Sequence, residues 1–184
     1  MLLATGFDAW TCDPYVDDAL MAPGRSVPWD HPERIPQCDC ITALEVFEHL
    51  PDPLAVGRRL RAHLRPGGCL VVSTALYRPS EHGADWPYLS AEWGQHVTFW
   101  TDDAFVAYAR ALDYRSIGYF PGGEGFLIVL STKEPDDLAA GLEVASAALA
   151  SPTLLHAMTD AWDFRGDVFP QVAPRVVDVD RAAR

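Results

Sequence analysis

Residues Cys38–Leu50 read Cys-Asp-Cys-Ile-Thr-Ala-Leu-Glu-Val-Phe-Glu-His-Leu, and the rest of the chain falls into place around them. Asp39 to Leu44 is short and mostly apolar, with no polar period, which predicts a strand buried on both faces of a parallel sheet. Glu45, Glu48 and His49 follow at i, i+3 and i+4, a spacing that places all three on one side of a helical turn. Two carboxylates held that close repel, so they call for a cation, a proton or open water between them. The competing reading is structural: glutamates favour a helix start, and His49 is then packed or solvated.

Downstream, Pro51-Asp52-Pro53 opens a helix with Asp52 as N-cap and Pro53 at the first helical position. Leu54, Leu60 and Leu64 form its apolar stripe, Arg58, Arg59, Arg61 and Arg65 its wet face, and Pro66-Gly67-Gly68 its end. Cys69 to Thr74 is the next predicted strand, which gives a strand-helix-strand unit with parallel pairing. Tyr77 to Thr98 lacks periodicity but holds Tyr77, His82, Trp86, Tyr88, Trp93 and His96. Long loops of this kind are lids or binding loops, or else satellite cores under a surface loop. Thr101-Asp102-Asp103 caps a helix carrying Phe105, Ala109 and Leu112. Tyr114 to Phe120 and Gly125 to Ser131 then form an antiparallel hairpin around Pro121-Gly122-Gly123.

Upstream, Met1 to Thr5 ending at Gly6 predicts the last turn of a helix. Asp8 to Cys12 predicts a short strand closed by Asp13-Pro14, which is either a ribose-binding carboxylate at a strand end or a plain turn. Tyr15 to Met21 fits a short helix, and four prolines between Ala22 and Gln37 leave a loop with at most a brief strand around Val27. From Glu134 the composition shifts: Leu138, Leu142, Ala145 and Leu149 form a helical stripe, Ser151-Pro152 opens a second helix to about Trp162, and an irregular tail follows. The domain reading is therefore a main domain over residues 1–133 and a helical extension over 134–184.

Fourteen Lys and Arg against 26 Asp and Glu give a formal charge of −12, which disfavours nucleic acid and anionic membranes as partners. No apolar run approaches the roughly 20 residues of a membrane span, and the first residues lack a signal-peptide layout, so the expected location is the cytoplasm. Cys12, Cys38, Cys40 and Cys69 have no C-x-x-C pairing and are expected to be buried free thiols rather than to serve a metal or redox role.

In order and spacing, Gly6-Phe7-Asp8 to Cys12-Asp13-Pro14, then Asp39-x-Ile41 to Glu45-Val46-Phe47-Glu48-His49-Leu50-x-Asp52-Pro53, then Leu64-Arg65-Pro66-Gly67-Gly68 resemble the class I S-adenosylmethionine-dependent methyltransferases. The resemblance covers about Met1 to Thr132 and extends especially to the branch with ubiquinone-biosynthesis O-methyltransferases. The resemblance implies an α/β, Rossmann-like sheet, mostly parallel, with a C-terminal antiparallel hairpin. It implies that Asp13 binds the cofactor ribose and that Leu44 and Glu45 lie beside its methionine part. The loop holding Trp86, Tyr88 and Trp93 would cover an apolar or ring-bearing small-molecule acceptor, with His49 and His96 as bases. The family's glycine-rich loop and first strand would precede Gly6, so Met1 is expected to start inside the following helix, and the 184 residues are expected to bind the cofactor weakly or not at all.

A further resemblance, to methyltransferases that modify the terminal ribose of small RNAs, implies a magnesium or manganese site built from Glu45, Glu48, His49 and His96, although the acidic charge argues against an RNA substrate. O-methylation of a small molecule is the expected activity. The alternatives are a degenerate accessory subunit whose C-terminal helices dock a partner or a second copy, and, weakest, a metal-dependent hydrolase.

Overall fold

The computed structural model describes residues 6–13, 24–31, 34–122, 125–149 and 175–182. They divide into two compact units, Met1–Cys38 and Asp39–Arg184. The predicted helical segments at Met1–Thr5, Tyr15–Met21 and Ser151–Trp162 lie outside the described residues.

In the first unit the predicted strand from Asp8 to Cys12 is reduced to one parallel bridge, Thr11 with Ser26. The Thr11 amide donates to the Arg25 carbonyl at 2.8 Å, and Val27 N donates to the Thr11 carbonyl at 2.9 Å. Gly24 (φ +72°) and Pro28, which has no amide to donate, flank the bridged segment.

The second unit is a five-stranded sheet in the order β1-β2-β4-β3-β5, with β1 Cys38–Leu44, β2 Leu64–Thr74, β3 Ser116–Gly122, β4 Gly125–Ser131 and β5 Arg175–Asp178. β1 and β2 run parallel: Asp39 and Arg65 pair near their starts at 2.7 Å, and the Glu45 amide meets the Ser73 carbonyl at their ends at 3.2 Å. The other three pairs, β2 with β4, β4 with β3 and β3 with β5, are antiparallel. The sheet is thus mostly antiparallel, a correction to the mostly parallel expectation. The cause is local: the hairpin returns β4 between β2 and β3, so one reversed strand makes two antiparallel pairs.

A second correction concerns the tail. Arg175-Val176-Val177-Asp178 is a strand, not irregular, because β3 has a free edge and the two valines suit a pleated surface. The single helical turn after it, Val179–Ala182, buries Val179 in the main core, and Arg175 pairs with Asp102 while lying over the Tyr119 ring at 4.2 Å. A third concerns β1 itself, which is the edge strand among the described residues, with Cys40, Thr42 and Leu44 exposed.

Alternation along the strands splits the core in two. On one face Leu70, Val72, Ile117, Ile128 and Leu130 pack under α1 (Pro53–His63) and α2 (Asp102–Ala111) with Phe47, Phe105 and Trp100. On the other, Val129 packs with Leu138 and Leu142 of α3 (Pro135–Leu149). Two glycines allow the close approaches. A Cβ on Gly57 of α1 would stand 1.8 Å from the Tyr108 hydroxyl, and one on Gly118 of β3 would stand 2.3 Å from Leu142 Cδ1. The predicted caps hold: Asp52 accepts from the Ala55 amide at 2.9 Å and Thr101 from the Ala104 amide at 3.1 Å. α1 stops at His63, and β2 runs through Pro66-Gly67-Gly68, earlier than the predicted start at Cys69, with Gly67 at φ +77°.

Candidate active site

The carboxyl end of β1 leads into a 3-10 turn, Phe47–His49, that carries the two acidic-histidine neighbours. Phe47 fixes it. Its ring is fully buried and packs against Trp100 and Tyr108, each at 5.7 Å between centroids. The turn is also stitched to the segment 95–100. Val97 N and Thr98 N donate to the Glu48 carbonyl at 2.8 and 3.0 Å. The Thr98 hydroxyl donates to the Leu50 carbonyl at 2.6 Å, and Trp100 Nε1 to the Phe47 carbonyl at 3.4 Å. These bonds bring His96 back to His49.

Glu48, His49 and His96 then form one group whose ligand atoms lie within 4.8 Å of one another. His49 Nε2 is 4.0 Å from Glu48 Oε1, and the two imidazoles meet edge to face at 4.9 Å. Each ring is oriented by a carbonyl: His49 Nδ1 by Gln95 O at 2.9 Å and His96 Nδ1 by Tyr88 O at 2.5 Å. A carbonyl can only accept, so each Nδ1 carries a proton, and Nε2 is the ring nitrogen left to face a ligand. Glu48 is 0% exposed, and among the described residues neither of its carboxylate oxygens has a hydrogen-bond partner. An ionised carboxylate so placed is costly unless a cation or a proton sits against it. One carboxylate and two imidazole Nε2 atoms form a mixed oxygen and nitrogen donor set suited to a divalent ion.

Glu45 is not in this group. It sits at φ +53°, a left-handed conformation that turns its side chain back toward β2, and its backbone and carboxylate are both tied to Ser73. The Ser73 hydroxyl accepts from the Glu45 amide at 2.9 Å and donates to Glu45 Oε1 at 2.7 Å. The helical turn implied by the i, i+3, i+4 spacing therefore starts only after Glu45. Leu44 beside it is 54% exposed. Asp13 belongs to the first unit, half-buried just after the Thr11 bridge.

The aromatic loop is ordered by ring contacts. His82 stacks on Trp86 at 4.2 Å and 3°, and Trp86 contacts Tyr77, Tyr88 and Phe99. Tyr88 lies against the His96 ring at 4.5 Å, and its hydroxyl meets the Thr74 hydroxyl at 3.0 Å. Burial, with smaller effects from Glu48 and Glu45, pushes the Tyr88 phenol up to about 12. Trp93 is exposed. Sequence reasoning missed Ser73 and the holding role of Tyr88; a serine closing an apolar strand was the available signal for the first, whereas Tyr88 acts through a backbone carbonyl that no residue pattern marks.

A family model described as a methyltransferase domain matches residues 2–117, well over half of the chain, and the chain belongs to that family. Two curated relatives are ubiquinone biosynthesis O-methyltransferases. That of Marinobacter nauticus is 46% identical over 48 residues, 26% of this chain and 20% of the relative. That of Aeromonas salmonicida is 37% identical over 54 residues, 29% and 23%. The matched stretch thus spans about a fifth of these relatives. Among solved structures, PigF with SAH is similar with a TM-score of 0.54 at 16% identity, over 70% of this chain and 49% of that one. A SAM-dependent methyltransferase from Thermotoga maritima gives 0.52 at 13%, over 68% and 73%. The fold is the α/β, Rossmann-like methyltransferase fold. Among the described residues no helix is long and apolar enough to cross a membrane.

Proposed function

We propose that this chain takes part in S-adenosylmethionine-dependent methyl transfer to the oxygen of a small, ring-bearing acceptor, with Glu48, His49 and His96 at the acceptor end of the site. The observation that carries the reading is the buried Glu48 carboxylate facing two imidazoles whose Nε2 atoms are left to face a ligand. Family membership supports the reaction, and the O-methyltransferase relatives support oxygen as the acceptor atom.

S-Adenosylmethionine, when bound, supplies a methyl on a sulfonium. Bound there, it would offer that methyl to an acceptor oxygen that the surrounding residues hold in line with it. A hydroxyl must lose its proton on the way, and the Nε2 of His49 or His96 can take it. Glu48, His49 and His96 also fit a divalent cation such as magnesium or manganese, and such an ion would lower the pKa of an acceptor hydroxyl. Glu45 is assigned to the cofactor's methionine part together with Leu44, at the carboxyl end of β1 where α/β sheets bind ligands. For Asp13 the reading is a ribose-binding carboxylate.

The test is product analysis. The protein, S-adenosylmethionine, manganese and a panel of ring hydroxyl compounds are incubated, and mass spectrometry looks for one added methyl on oxygen. Methylated product that disappears in His96→Ala supports the reading. Methylation on nitrogen or carbon, or product that persists undiminished in His96→Ala, overturns it.

A further inference from the structure

We propose that Cys40 and Cys69 form a peroxide-sensitive dithiol site, with Cys69 as the nucleophile and Cys40 as its resolving partner. The two lie on neighbouring parallel strands, β1 and β2, whose alignment is set at one end by Asp39 with Arg65 and at the other by Glu45 with Ser73. Neighbouring strands lie about 4.8 Å apart, within the Cα separation of about 4.4–6.8 Å that a disulfide spans. Side chains alternate along both strands: Ile41 and Ala43 share the main core with Leu70 and Val72, whereas Cys69 lies with Val71 on the opposite face, the face to which Cys40 also turns. Cys40 is exposed and Cys69 half-buried, so peroxide has access from one side and the nucleophile is sheltered on the other; neither sulfur is in a disulfide.

Lys133 supplies the positive charge. Cys69 pairs in register with Ser131 of β4, and Lys133 follows two residues later, anchored by its amide to the Ser131 hydroxyl at 3.1 Å. Its stem crosses beside Gly67, where a Cβ would lie 3.7 Å from Lys133 Cε. The hydrogen bond from Cys40 is the largest influence on the Cys69 thiol; burial opposes it and Lys133 assists it, and together they lower its pKa from 9.0 to about 7. A large share of Cys69 is then thiolate at neutral pH, the form that reacts.

The chemistry closes with hydrogen peroxide as oxidant. The Cys69 thiolate attacks one peroxide oxygen, the O–O bond breaks, and hydroxide leaves and is protonated to water, which gives a sulfenic acid. The Cys40 sulfur then attacks Cys69 sulfur, the S–O bond breaks, and a second water leaves as the S–S bond forms. The sulfur pair loses two electrons and the peroxide gains them.

The experiment treats the protein with hydrogen peroxide at pH 7, blocks remaining thiols and maps peptides by mass spectrometry. The expected result is a Cys40–Cys69 disulfide formed about tenfold faster than oxidation of Cys12 or Cys38. In Cys40→Ser, Cys69 should instead accumulate as a sulfenic acid that dimedone labels. A readout without variants is the alkylation of wild-type Cys69 by iodoacetamide, expected to reach half its maximal rate near pH 7. Oxidation spread evenly over the four cysteines, a bridge to Cys12 or Cys38, or Cys69 alkylation that rises only near pH 9 would overturn the proposal.

Discussion

His49 and His96 meet edge to face, ring centroids 4.9 Å apart and planes at 68°, because the turn that carries one accepts the backbone of the loop that carries the other. Their Nδ1 atoms are both committed to carbonyls, so the free edges of the two rings and the Glu48 carboxylate share one small volume. A group built this way is preorganised: the side chains do not have to find their orientation when a ligand arrives.

That geometry separates the two glutamates. Glu48→Gln is expected to weaken manganese binding more than about tenfold, whereas Glu45→Gln, whose carboxylate is already occupied by Ser73, should change it by less than about threefold. The readout is calorimetric titration of the protein with manganese chloride. Equal losses in both variants would return Glu45 to the ligand set; no binding by the wild type would remove the metal altogether.

Glu48 also makes a prediction about stability. Without a cation, a buried carboxylate lacking hydrogen bonds opposes folding, so metal-free Glu48→Leu should be more stable than wild type by about 1–3 kcal/mol in urea unfolding. Adding manganese should stabilise wild type and leave the variant unchanged. A variant less stable than metal-free wild type would mean that Glu48 has a favourable partner in the fold.

The turn itself depends on packing. Phe47→Ala removes a ring in contact with Trp100 and Tyr108 and should cost about 3–5 kcal/mol. Gly57→Ala should be destabilising by about 1–3 kcal/mol despite alanine's better helix propensity, since the new methyl meets Tyr108 at the crossing of α1 and α2. Thermal or urea unfolding decides both, and a stabilised Gly57→Ala would show that Tyr108 can swing aside.

What the sequence made legible was local. Asp52, Pro53 and Thr101 act through the next few amides, so their capping roles follow from spacing alone. The hairpin of β3 and β4 was readable for the same reason. The cysteines were not: the alternation that buries Ala43 turns Cys40 outward, and Cys12 is also exposed, so the buried-thiol expectation fails for both. Nor was the pairing of β5 with β3, a contact between segments far apart in the chain that leaves no short-range pattern. At the site, the residues Glu48, His49 and His96 were named from sequence, but Glu45 was misplaced, because its left-handed backbone breaks the helical spacing that grouped it with them.

The last prediction concerns alkaline pH. Burial raises the phenols of Tyr88 and Tyr119 to about 12 and those of Tyr108 and Tyr114 higher still, from an ordinary 10. A phenol whose folded pKa is raised keeps its full stabilising contribution below pH 10. The unfolded chain then ionises first, so stability falls as pH rises from 10 through about 12. Tyr119 tests this without breaking a bond, since its hydroxyl is buried with no hydrogen-bond partner among the described residues. Tyr119→Phe should match or slightly exceed wild type at pH 7, because no hydrogen bond is lost. Between pH 10 and 12 it should lose less stability than wild type, having one fewer group to ionise on unfolding. Urea midpoints measured at pH 7, 10 and 11 provide the comparison, and parallel losses in the two proteins would mean that the Tyr119 hydroxyl reaches water in the folded state.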